Sequence, residues 1–128
     1  MYSSEPLPHF VDDYLRYLQE VHPTIAALDG VHTHDDLLED VSRTGVEADT
    51  RALAGFARRL IEIPQDALTP VERVEHPILA SHIKAKMLES EDIRTWERNP
   101  QIYADILASS LAAQALFAYA PETERARR

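Results

Sequence analysis

The chain has 128 residues, no cysteine and a formal net charge of -9, from 13 Lys plus Arg against 22 Asp plus Glu. With 45% hydrophobic and 27% charged residues it has the composition of a single globular domain that buries one core. The acidic balance argues against nucleic acid and anionic lipid as partners, and the missing cysteine excludes disulfides and thiolate chemistry without fixing a compartment.

The opening M-Y-S-S-E-P-L-P has no basic region and no apolar run, so no secretion signal is expected in it. Phe10, Tyr14, Tyr17, Leu18 and Val21 recur at three to four residue spacing. That spacing predicts a first helix over 8–21 with a buried aromatic stripe, ending at the His22-Pro23 step because the residue before a proline is biased away from helix. A short helical turn is expected at 24–28, closed by Gly30, which can adopt the left-handed conformation that ends helices.

Val46, Leu53, Phe56, Leu60 and Ile63 follow a near-heptad rhythm and predict a second long helix over 46–63, with Pro64 just beyond it. Thr69-Pro70-Val71-Glu72 has the pattern of a capping box, in which the threonine hydroxyl and the glutamate carboxylate satisfy each other's backbone amides. The helix it opens is expected to run toward Glu89 with a kink or restart at Pro77. Asn99-Pro100 repeats the cap-then-proline order and predicts a last long helix to Tyr119. The small residues of that helix suit a central position in the core. Its window over 106–120 is too short for a membrane span of roughly 20 residues, so no membrane contact is expected from this segment itself. The tail from Pro121 reads as the first turn of a further helix. Three isolated glycines and no sustained alternation of apolar and polar residues leave an all-α fold. It is expected as a helical bundle of about four main helices in one domain over 1–128, with 1–8 and 121–128 peripheral.

Little in the chain looks like chemistry. In D-G-V-H-T-H-D-D-L-L-E-D, His32 and His34 are one residue apart, a spacing that lets two imidazoles share a face of an extended segment and hold a metal. The pattern is weak alone, and the blander reading is a hydrogen-bonded loop in which Asp35 and Asp36 cap Leu37 and Leu38. There is no H-E-x-x-H string, no glutamate three residues before a histidine, no G-x-S-x-G elbow and no glycine-rich phosphate loop. His76 and His82 are six apart and fall on different helix faces. Ser109 and Ser110 suit close helix packing, Arg51, Arg58 and Arg59 suit a wet helix face, and Trp96 suits a packing anchor.

Four segments taken together resemble the N-terminal part of the bacterial family catalogued as domain of unknown function 885. They are F-V-D-D-Y-L-R-Y-L-Q-E-V-H-P-T-I-A-A-L-D-G, H-D-D-L-L-E-D-V-S, L-T-P-V-E-R-V-E-H and R-T-W-E-R-N-P-Q-I-Y, with W-E-R-N-P-x-x-Y at 96–103 the most specific. The resemblance implies a parent several times longer, an all-helical zinc-dependent peptidase with H-E-x-x-H in its later half, exported or lipid-anchored in many members. It places no catalytic, cofactor-binding or metal residue on this chain, and zinc would belong to the parent. The expected role is then a non-catalytic N-terminal region, scaffold or substrate-channel wall, whose partner is the remaining catalytic half. The alternatives are a free-standing helical binding or oligomerisation module, with homo-oligomers expected, and a small metal-dependent hydrolase using His32 and His34.

Overall fold

A computed structural model describes residues 5–127 of the chain. The M-Y-S-S start and the last arginine lie outside the described residues, so the expectations on them are not addressed. Among the described residues there is no strand, and the fold is all-α. Four helices of fifteen residues or more carry it: α1 (Leu7–Val21), α3 (Arg43–Glu62), α4 (Glu72–Leu88) and α6 (Gln101–Leu116). Between and after them come short helical pieces, α2 (Pro23–Leu28), α5 (Thr95–Arg98) and α7 (Glu122–Arg125). Among the described residues no helix is long and apolar enough to cross a membrane.

The ends of these helices follow local chemistry. Pro23 opens α2, where its missing amide costs nothing. Gly30, at φ 89°, closes it: the Gly30 amide donates to the Ala27 carbonyl at 3.2 Å and the Val31 amide to the Ala26 carbonyl at 2.8 Å, the paired bonds of a glycine-terminated helix. Ser42 caps α3 by accepting from the Gly45 amide at 3.1 Å, so this helix starts three residues before the stripe that predicted it. The capping box forms as its pattern predicts, with the Thr69 amide donating to Glu72 at 2.7 Å and the Glu72 amide to Thr69 Oγ1 at 3.3 Å.

The restart considered at Pro77 does not occur: α4 is helical across it from Glu72 to Leu88. One amide is missing, and the carbonyl of Arg73 that it would have served belongs to an exposed residue near the helix start, where water can take the bond. After Leu88 the backbone widens into one π turn over Glu89–Ile93, closed by the Arg94 amide on the Glu89 carbonyl at 2.7 Å, with Arg94 left-handed at φ 56°.

By backbone contacts the chain gathers into two compact units, one formed by residues up to Leu15 with Ser42–Thr95, the other by Arg16–Val41 with Trp96 and beyond. The first unit buries Leu7, Phe10 and Tyr14 of α1 against Leu53 and Leu60 of α3, Ile63, Leu68 and Ile83 of α4. Phe56 places its ring edge-on to Phe10 and Tyr14, with centroids 5.8 and 5.0 Å away. That ring geometry adds to the area that each aromatic removes from water.

The second unit packs α2 against α6 and buries Thr24, Ala26, Ala27 and Ala113. The expectation that the last long helix is the central one is corrected here: only Ala113 of α6 is fully buried. The reason lies in α2, whose six residues make less than two turns and cover one side of a sixteen-residue helix. The helix also ends at Leu116 rather than Tyr119, with Phe117 extended. Past it α7 forms, and Arg125 turns back to donate from Nη1 to the Gln114 carbonyl at 2.6 Å and from Nε to the Ala120 carbonyl at 2.9 Å. A guanidinium on a last-turn carbonyl satisfies an acceptor that the helix leaves open and complements its dipole.

Candidate functional site

The stretch from Asp29 to Asp40 is a loop in the second unit, and the acidic side chains in it anchor it at two points. At one, Glu39 Oε1 accepts from the Thr24 amide at 3.1 Å and from Thr24 Oγ1 at 2.5 Å. Thr24 is buried in the first turn of α2, so a carboxylate fifteen residues downstream caps that helix where its orphan amides and dipole favour negative charge. At the other, Asp35 is buried with no side-chain exposure and receives His32 Nδ1 at 3.0 and 3.1 Å. The Tyr119 ring lies flat on the His32 imidazole, with centroids 3.5 Å apart and planes 9° from parallel.

Burial opposes the charge on Asp35, but hydrogen bonds from Tyr119 and Gln114, together with His32, outweigh it and hold the carboxyl below its ordinary value. Tyr119 also bonds Gln114 Oε1, and since a phenol has one proton the three groups share it as a network. The expected capping by Asp35 and Asp36 is therefore corrected. No helix forms at Leu37 and Leu38, both of which are exposed, and Asp35 turns inward to the C-terminal end of α6.

For His32 and His34 the structure engages Nδ1 of the first with Asp35, while His34 contributes its carbonyl to the Leu37 amide at 3.0 Å. An imidazole with a carboxylate on Nδ1 has the orientation of a metal ligand or a general base presenting Nε2. Among the described residues no group of three metal-ligating side chains forms around that ring, and its contacts with Asp35 and Tyr119 fasten the loop to the residues following α6.

A second grouping, in the first unit, escaped the sequence reading. Glu5, His9 and Asp13 bring ligand atoms within 4.8 Å of one another along one face at the start of α1. Arg59 of α3 already supplies the positive charge there: its Nε donates to Glu5 at 3.1 Å, and its Nη2 bonds Glu5 and lies 2.8 Å from Asp13. That guanidinium is the main cause holding the Glu5 carboxyl below its ordinary value; burial opposes it and His9 adds to it. Its flat face rests on Phe10 and Phe56, 5.5 and 5.2 Å from the ring centres, so Arg59 is an ion-paired, stacked side chain rather than only a wet-face residue. A divalent ion at this place would first have to displace it.

The remaining candidates hold structure. His76 Nε2 bonds the Leu60 carbonyl at 2.8 Å, satisfying the C-terminal end of α3, and His82 stands edge-on to Tyr14 at 6.0 Å. Desolvation, helped by Lys86, lowers the pKa of His82. Trp96 is half-buried in α5, and its carbonyl accepts from the Tyr103 hydroxyl at 3.0 Å. Along α3 an open groove of about 540 Å³ is lined by Ala52, Gly55, Phe56, Arg58, Arg59 and Glu62. Glu39 and Asp35 carry no local signal as loop anchors, because their partners at Thr24, Gln114 and Tyr119 are distant in sequence.

No family model, no curated protein and no solved structure matches the chain.

Proposed function

We propose that this chain is a non-catalytic helical N-terminal region of a longer parent protein related to the domain of unknown function 885 family. Its role there is to scaffold the catalytic half and wall one side of the substrate channel. The observation that supports the reading is the Asp35 clasp. The one histidine-rich stretch of the chain is bonded into the fold through His32, Tyr119 and Gln114, and among the described residues no three metal-ligating side chains converge there. In this reading zinc binds in the H-E-x-x-H region of the parent, and the catalytic half is the partner.

The reading frame beyond Arg128 is the test. Continuation into an H-E-x-x-H segment is the expected result, and a stop codon directly after Arg128 contradicts it. A stop codon would favour the second reading, a free-standing helical binding module, which the apolar outer face of α6 supports. The third reading, a small hydrolase built on His32 and His34, predicts that replacing both with alanine removes bound metal from the purified chain.

A further inference from the structure

We draw no further inference here: the strongest candidate, the side-chain cluster of Glu5, His9 and Asp13 at the start of α1, is already charge-matched by Arg59 of α3, and nothing else among the described residues points to a ligand there.

Discussion

The two units of this chain are held by different physics. In the first, α1, α3 and α4 bring Phe10, Tyr14, Leu53, Leu60 and Ile83 into a continuous apolar core, and its main ion pairs, Arg59 with Glu5 and Asp13, sit at the edge of that core. In the second, few large apolar side chains are buried, and the fold is fastened by Asp35 under Tyr119 and Gln114, Glu39 on α2, and Arg125 on the end of α6. Apolar burial is non-directional and tolerates adjustment. A buried polar network stabilises only when every member is satisfied. The second unit is therefore expected to be the one that fails abruptly when a single polar atom is removed.

The largest effect tests the first unit. Phe10→Ala should lower its stability by about 3–5 kcal/mol, because a fully buried ring that contacts Tyr14 and Phe56 leaves a cavity, as read by urea unfolding followed through circular dichroism. In the second unit Asp35→Ala should cost about 2–4 kcal/mol by leaving its half-buried donors unanswered. The folded carboxyl titrates below its ordinary value, so its contribution is fully present above the unfolded value near 3.9 and is lost as pH falls through the folded one. The acid limb of the stability profile should flatten in Asp35→Ala.

A smaller effect returns to the first unit at the alkaline end. Burial, with Asp49 adding to it, pushes the Tyr14 phenol up to about 12 from 10.0. Its contribution is therefore complete below pH about 10 and lost as pH rises toward 12, on the order of 2 kcal/mol, with tyrosinate absorbance as the readout. The Tyr14 hydroxyl is buried with no hydrogen-bond partner among the described residues, so Tyr14→Phe should be neutral or stabilising at pH 7 and should abolish the alkaline loss. The smallest expected change is Ser42→Ala, about 1 kcal/mol from the lost cap of α3.

The same contrast explains what could be read in advance. The helices of the first unit were legible because their apolar spacing and end signals are local: the Phe10–Tyr14 stripe, the Leu53–Leu60 stripe and the Thr69 capping box all appear as sequence intervals. The fastening of the second unit joins Thr24 to Glu39 and Asp35 to Tyr119, groups whose pairing depends on where the chain returns in space. Local propensity for capping therefore misread Asp35. It likewise placed α6 at the centre, because composition shows that a helix is apolar but not how short its neighbour will be.

Calorimetric titration of the purified chain with Zn²⁺ tests most directly whether the histidine-bearing loop is a structural clasp. Because no three ligating side chains converge on His32 among the described residues, the account predicts no stoichiometric binding tighter than the micromolar range, and the same trace from His32→Ala. One-to-one binding in the nanomolar range that vanishes in His32→Ala would contradict it.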